Sequence, residues 1–524
     1  MANPKMYDLS NQPQLFGHPV GLYFLFFTEM WERFSYYGMR AILVLFLVAE
    51  TTSDNPGYGW TNGEAIYLYG WYTMFVYVAS IPGGILADRY LGQRHTVMLG
   101  GLLLCAGHGI LAVDALWAFY TGLAFIVLGV GCLKPNISTM VGGLYGAGDE
   151  RRDMGFYIFY MGINLGAAVS ALLVGYVGEE IGWHYGFGLA GIGMFVGQLT
   201  YMAGQKYLRH VGNVVEDEKT TVENRPNLIF DIFKHRNSVI GFALMIGLGA
   251  YLLAQGTWDY GLLTIGLAFA VGVGIVVYND GNKIEKDRIL VTYLSFLIII
   301  VFWGAFEQAG GLMNVYAQQK TDLQLTSSFA VPASWFQSVN AIFILVFATI
   351  VGSFWAWWRN RGKESSSIYK MAIGVIIMGW GFFFMSKASM DVQYNEADEV
   401  IQKSGMIWLV LAYLFHTLGE LCASPVALSF ITKLAPARWM AFMMGAYFAA
   451  TGLGNKVAGL LGEYSEELGE FTIFTGIAIF CTVFGFLVLA IIKPLKRLTH
   501  GAEEGATDTQ DETEGFELVS ERTN

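Results

Sequence analysis

The sequence predicts an all-α polytopic membrane protein. Three observations carry that fold class: an apolar composition, a succession of apolar runs long enough to cross a bilayer, and an uneven sharing of Lys and Arg between the connections. Of the 524 residues, 54% are hydrophobic, 15% aromatic and 14% charged, whereas soluble domains carry about 25% charged residues. The 64 Gly and 11 Pro fit the same class, because both are commoner in membrane helices than in soluble ones. Met1–Pro19 is polar and lacks an apolar core with a small-residue cleavage site, so the first apolar run is expected to be retained and to act as its own insertion signal.

A hydrocarbon core about 30 Å thick needs roughly 20 helical residues. Fourteen runs qualify, at about 20–48, 64–88, 96–113, 116–145, 154–178, 185–208, 237–255, 258–279, 288–318, 330–357, 368–386, 404–432, 439–462 and 470–494. The longest imply tilt, bending or extension beyond the bilayer. With both termini on the cytoplasmic side, 24 of the 31 Lys and Arg fall in cytoplasmic pieces and three (Lys320, Lys387, Lys403) outside, which the positive-inside rule requires. The remaining four lie inside spans. The net charge of −11 is concentrated at the C-terminus, where residues 501–524 hold eight acidic groups against Arg522. Such a polar, aromatic-poor tail reads as a solvated, disordered end.

The pair 237–255 and 258–279 carries little embedded polarity and follows a long polar connection, 209–236. Setting it aside leaves 6+2+6 transmembrane helices. Six plus six resembles the major facilitator fold, whose halves are each built from inverted three-helix repeats. The expected organisation is an N-terminal six-helix bundle (1–208), a cytoplasmic linker with two extra helices (209–287), a C-terminal six-helix bundle (288–494) and the acidic cytoplasmic tail (495–524).

Ionisable residues at bilayer depth point to function. Glu29, Glu32, Arg33, Arg40, Lys134, Glu307, Glu420 and Lys456 all fall inside spans. Each costs about 2.5–3.5 kcal/mol there, or roughly 20–28 kcal/mol for the set, unless partners or water are found. That exceeds the net stability of a domain, about 5–15 kcal/mol, so the charges are expected to pair or to line a wet cavity. With the hairpin removed, all but Lys456 fall on the first helix of a three-helix repeat. Arg33, Arg40 and Lys134 come from one half, Glu307 and Glu420 from the other. A cavity positive on one wall and negative on the other suits a zwitterion.

The first span is the densest constellation. At about 100° per residue, Glu29, Glu32, Arg33, Tyr36, Tyr37 and Arg40 fall within an arc of roughly 140°. Glu29 precedes Arg33 by four residues, the favourable order for a helical ion pair. This stripe is either an ion pair that locks helices together or a proton-sensing wall. Asn164 and Asn340 are cavity residues or interhelical struts, and Trp303 is a pocket wall or packing. His416 reads as a packing histidine, and Lys456 as a side chain able to snorkel outward. In the turn Gly83-Gly84-Ile85-Leu86-Ala87-Asp88-Arg89-Tyr90-Leu91-Gly92-Gln93-Arg94, Asp88 with Arg89 or Arg94 can form a breakable latch. Cys105, Cys132, Cys422 and Cys481 lie in apolar runs at unrelated spacings, which predicts packing rather than metal or disulfide use. H-E-x-x-H, Walker A and G-x-S-x-G patterns are absent from the sequence, which argues against a metallopeptidase, an ATP-driven pump or a serine hydrolase. No cofactor or nucleic-acid partner is expected.

The run Glu29-Met-Trp-Glu32-Arg33-Phe-Ser-Tyr36-Tyr37-Gly38 resembles the E-x-x-E-R-F-x-Y-Y-G signature of the proton-coupled oligopeptide transporter (POT/PTR) family of the major facilitator superfamily. The Gly83–Asp88 loop, Leu133-Lys134-Pro135-Asn136-Ile137-Ser138, Phe159–Gly166 and Gly419-Glu420-Leu421-Cys422-Ala423-Ser424-Pro425 are similar to its further motifs, and the extra hairpin is typical of bacterial members. The resemblance implies proton-driven import of di- and tripeptides by a monomer in the inner membrane. It implies that Glu29, Glu32 and Arg33 couple protonation to gating. Arg40 and Lys134, with Tyr36, Tyr37 and Tyr77, receive the peptide carboxylate. Glu420, with Asn340 and Asn164, holds the amino terminus, and Glu307 pairs with Arg40 to close the outer gate. Trp303, Tyr160 and Ser424 shape side-chain pockets. Tyr447 stands where many members have Trp, so side-chain preference is not carried over. Transport of another organic anion or nitrate, or drug antiport, are the alternatives; Glu420 argues against an anion carrier, which needs no partner for an amine.

Overall fold

The computed structural model describes residues 12–146, 149, 151–213, 232–234, 236–397, 399–436 and 439–502. The acidic tail beyond residue 502 and most of the 209–236 connection lie outside the described residues, as do the side chains of Asp88 and Arg89.

Each of the fourteen expected spans is helical. The first half comprises α1 (Val20–Val48), α2 (Asn62–Val78) continued by α3 (Ser80–Leu86), α4 (Gly92–Leu111), α5 (Leu116–Gly143), α6 (Arg151–Ser170) and α7 (Trp183–Gly204). The hairpin is α8 (Arg236–Ala254) and α9 (Trp258–Asp280). The second half comprises α10 (Lys283–Phe306) continued by α11 (Leu312–Lys320), α12 (Phe336–Asn360), α13 (Ser367–Asp391), α14 (Met406–Leu434), α15 (Met440–Glu463) with the short α16 (Ser465–Leu468), and α17 (Glu470–Ala490) before α18 (Ile492–Leu498). This is the 6+2+6 arrangement. At 1.5 Å per residue the 29 residues of α1 extend about 44 Å, so the helix tilts or projects past a core of about 30 Å.

Local chemistry sets the starts and breaks. Thr61 and Glu64 form a capping box at the start of α2, and Asn282 and Glu285 form another at the start of α10. Each satisfies N–H groups that the first helical turn leaves without partners. The expected single span 64–88 is broken after Val78. Pro82 lacks the N–H that would bond the Val78 carbonyl, so the helical hydrogen-bond ladder is interrupted there. The span 288–318 is likewise interrupted, by a 3-10 turn at Glu307–Ala309 and then Gly310 and Gly311.

Two backbone approaches organise the packing around the centre. Pro135 inside α5 leaves the Gly131 carbonyl without its helical donor. Gly83 of α3 lies on that carbonyl so closely that a Cβ would fall 2.0 Å from the oxygen. Between the halves, α2 packs along α15, and a Cβ on Gly70 would sit 2.8 Å from the Gly459 Cα. The halves therefore meet there backbone to backbone.

Candidate functional site

On α1 the charged stripe is buried and internally paired. Arg33 Nε lies 2.8 Å from Glu29 Oε1 and 2.7 Å from Glu32 Oε2. Glu29 Oε2, Glu32 Oε1 and Arg33 Nη2 are buried without a hydrogen-bond partner among the described residues. Two carboxylates thus share one guanidinium. Lys134 of α5 is the nearby basic group, in electrostatic contact with Glu32 and Glu29. Its Nζ stands 3.9 Å above the Tyr77 ring, a cation–π distance.

Two turns further along α1, Arg40 crosses to the other half. Its Nη2 is 2.9 Å from Glu307 Oε2, the pairing expected from the sequence. A residue that sequence reasoning missed completes it. Tyr69 accepts from Arg40 Nε at 2.6 Å and donates to Glu307 Oε2 at 2.9 Å. The break after α10 makes room for this triad, because a Cβ on Gly310 would meet the Tyr69 hydroxyl at 1.9 Å and Arg40 Nε at 2.9 Å. A usable signal was present: Tyr69, Thr73 and Tyr77 step along one face of α2 at four-residue intervals.

The opposing wall comes from α12 and α14. Asn340 Nδ2 donates to Glu420 Oε2 at 2.9 Å and to Thr417 Oγ1 at 3.0 Å. Asn340 is therefore both an interhelical strut and the group that orients Glu420. Asn164 is not joined to Glu420 by a hydrogen bond; its amide donates to the Tyr160 carbonyl of its own helix at 3.0 Å. Tyr447 is buried and within electrostatic range of Glu420 and Tyr77; Tyr37 is within electrostatic range of Glu420 and Arg33, and the Arg40 guanidinium stands 5.6 Å from its ring centre. Lys134, Tyr37, Tyr77, Trp303, Asn340, Glu420 and Ser424 are half-buried, and Tyr160 is 43% exposed. By contrast Arg40, Tyr69 and Glu307 are buried, so the centre is closed at the triad. Tyr36 is buried in edge contact with Tyr37, 5.4 Å between ring centroids.

The remaining sequence expectations divide. Arg94 begins α4, where its backbone N–H donates to the Gly212 carbonyl at 3.1 Å; its proposed partners Asp88 and Arg89 have no described side chains. His416 packs against Phe382, 4.5 Å between ring centroids. Lys456 does not snorkel. It is 0% exposed, with Nζ 3.5 Å from the Tyr67 ring centre and 4.4 Å from that of Trp71. Aromatic faces at that depth replace water, which is why the side chain stays inside. A cavity of about 400 Å³ lined by Gln93, Ser138, Arg152 and Asn213 lies at the end of the molecule near the termini, away from these charges. Among the described residues no group of three or more His, Cys, Asp and Glu side chains is placed to hold a metal ion.

Residues 94–472 match the model of the POT family (PTR2). The chain belongs to the POT family. Members of the POT family are transporters rather than enzymes, and the chain is a multi-pass membrane transporter. It is 35% identical over 508 residues to the peptide transporter YePEPT of Yersinia enterocolitica, covering 93% of this chain and 96% of that protein. It is 35% identical over 500 residues to a di-/tripeptide transporter of Lactococcus lactis subsp. cremoris, covering 92% and 97%. A crystal structure of a peptide transporter of the POT family in complex with sulfate matches with a TM-score of 0.79 and 35% identity, over 94% of this chain and 98% of that one.

Proposed function

We propose that this POT-family chain is a symporter that imports di- and tripeptides with protons by alternating access. It works as a monomer in the inner membrane with both termini cytoplasmic. The observation that carries the reading is the sign of the charges at the centre. Lys134 and Arg33 stand on one half, and Glu420, held by Asn340, on the other. A free dipeptide offers a carboxylate to the first pair and an ammonium to the second. The names of the Yersinia and Lactococcus relatives support the same substrate class.

Residues 1–208 and 288–494 are the bodies that rock against each other, with 209–287 linking them and 495–524 trailing in the cytoplasm. Lys134, Arg40, Tyr36, Tyr37 and Tyr77 receive the peptide carboxylate. Glu420, Asn340 and Asn164 face its amino end, while Tyr160, Trp303, Ser424 and Tyr447 border its side chains. Asp88, Arg89 and Arg94 form the inner latch.

Coupling follows from charge balance. Glu29 and Glu32 share Arg33, leaving a surplus negative charge whose burial is costly unless balanced. Either a proton on Glu32 or the ammonium of Lys134 balances it. A proton on Glu32 frees Lys134 for the peptide carboxylate. Loss of that proton to the cytoplasm draws Lys134 back and releases the peptide. A proton on Glu307 loosens the Arg40–Tyr69–Glu307 triad and opens the outer side.

The test is uptake of a labelled dipeptide into liposomes under an inward proton gradient. Accumulation abolished by a protonophore is expected, with competition by free dipeptides and not by dipeptides blocked at both ends. Uptake indifferent to the protonophore removes proton coupling, and equal competition by blocked peptides removes the two-ended site.

A further inference from the structure

The end of the molecule carrying residues 49–61 and 321–335 holds contacts between the halves that the central site does not use. Glu179, at the end of the fifth span, reaches the start of α12. Its Oε2 accepts from the Ala333 N–H at 3.0 Å and its Oε1 from the Ser334 N–H at 2.9 Å. Glu466, in α16 after the fifth span of the second half, reaches the start of α2, where its Oε1 accepts from the Gly63 N–H at 2.7 Å. The two contacts are exchanged copies of one another. In each, the fifth helix of one half caps the second helix of the other.

The local chain repeats as well. Gly178-Glu179-Glu180-Ile181-Gly182 and Ser465-Glu466-Glu467-Leu468-Gly469 share the acidic pair, a branched apolar residue and a closing Gly at positive φ, 154° and 77°. Both contacts rely on a neighbouring Gly for clearance. A Cβ on Gly63 would lie 2.8 Å from Glu466 Oε2, and one on Gly175 would lie 2.0 Å from Ser334 Oγ. Neither helix start has its own acceptor for these donors. Thr61 caps α2 by accepting from Glu64, leaving the Gly63 N–H for Glu466. The turn that begins at Ala333 has no side-chain cap of its own.

We propose that Glu179 and Glu466 are a symmetry-related pair of gating residues, each a carboxylate that caps a helix of the opposite half and must let go for the outer gate to open. The inference rests on alternating access as proposed above. A carboxylate on helical N–H groups makes charge-assisted hydrogen bonds and meets the positive end of the helix dipole. Contacts made in one state and absent from the other bias the equilibrium between them.

The experiment places nitroxide labels through Thr52→Cys and Ser327→Cys, exposed positions on the two halves at this end, and measures their distance distribution by electron–electron resonance in lipid. Glu179→Gln, Glu466→Gln and the double variant are compared with Glu180→Gln and Glu467→Gln, which remove the same charge from the next residue without touching the hydrogen bonds of Glu179 and Glu466. Each single latch variant should enrich the long-distance, outward-open population about fivefold or more, and the double variant by about the product. The neighbour variants should leave it unchanged. Glu179→Asp, which keeps the charge but withdraws it by one methylene, should open the gate as Gln does, so a folding defect from lost charge is separated from a lost contact. Variants indistinguishable from the neighbour controls overturn the latch, and a shift in one single variant alone overturns the pair. A parent protein with a single distance population at every pH and peptide concentration overturns alternating access, and the latch with it.

Discussion

Arg40 and Glu307 meet across the two halves with 2.9 Å between Nη2 and Oε2, and the Tyr69 hydroxyl bonds to both. A buried ion pair with one partner removed strands a charge, whereas a pair without its bridging hydroxyl keeps its balance. Tyr69→Phe therefore tests the bridge alone. The closed outer gate should lose about 1–3 kcal/mol, read as a larger outward-open population by spin-label distances. An unchanged population would mean that the hydroxyl carries no gating energy.

Gly310→Ala tests the same triad from the backbone side. The added methyl would fall 1.9 Å from the Tyr69 hydroxyl and 2.9 Å from Arg40 Nε, so something must move. A loss of about 1–3 kcal/mol of stability is expected, seen as a lowered melting temperature in detergent. Gly352→Ala, where nothing lies within 4 Å of the new atom, should melt like the parent.

Glu32→Gln fixes the α1 cluster in its neutral balance. Counterflow of labelled dipeptide, which needs no net proton movement, should persist at near-parent rates. Accumulation driven by an inward proton gradient should fall at least tenfold. Accumulation surviving at the parent level would remove Glu32 from coupling.

Glu420→Ala removes the acid on the α12–α14 wall and leaves Asn340 without that acceptor. Affinity for a free dipeptide should weaken about 10–100-fold, the scale of a lost charged hydrogen bond, while its N-acetylated analogue is held as before. Equal losses for both, measured by thermal-shift titration, would take the amino end of the peptide elsewhere.

Lys456→Met replaces a buried amine by an apolar chain of similar length. Lys456 Nζ has no hydrogen-bond partner among the described residues, and Tyr67 and Trp71 offer it ring faces. Unsatisfied buried donors cost about 1–3 kcal/mol, against about 2 kcal/mol for a desolvated cation–π contact. The variant should melt at or above the parent temperature. A clear drop would show that the ring contacts outweigh the stranded donors.

The span count, the hairpin and the embedded charges were legible because they rest on composition and local period. The Glu29–Arg33 pair was legible for the same reason, since both residues lie on one helix turn. The Arg40–Glu307 pairing was reached through resemblance, and spacing alone does not reach it, because 267 positions separate the two residues. Tyr69 escaped because a tyrosine in an apolar span reads as packing until its partners from α1 and α10 arrive. The helix breaks at Val78 and Glu307 were hidden by hydropathy, which records how greasy a run is and not whether its N–H groups find carbonyls. Lys456 was misplaced because the aromatic cage that detains it belongs to α2, nearly four hundred residues earlier in the chain.

The meeting of Gly70 and Gly459 has a further consequence for the speed of the cycle. At that point the helices touch through bare backbone, whereas beside it side chains interlock, Lys456 of α15 lying against the rings of Tyr67 and Trp71 of α2. The barrier to opening then resides in those flanking side chains, and the glycines set only how closely the halves can approach.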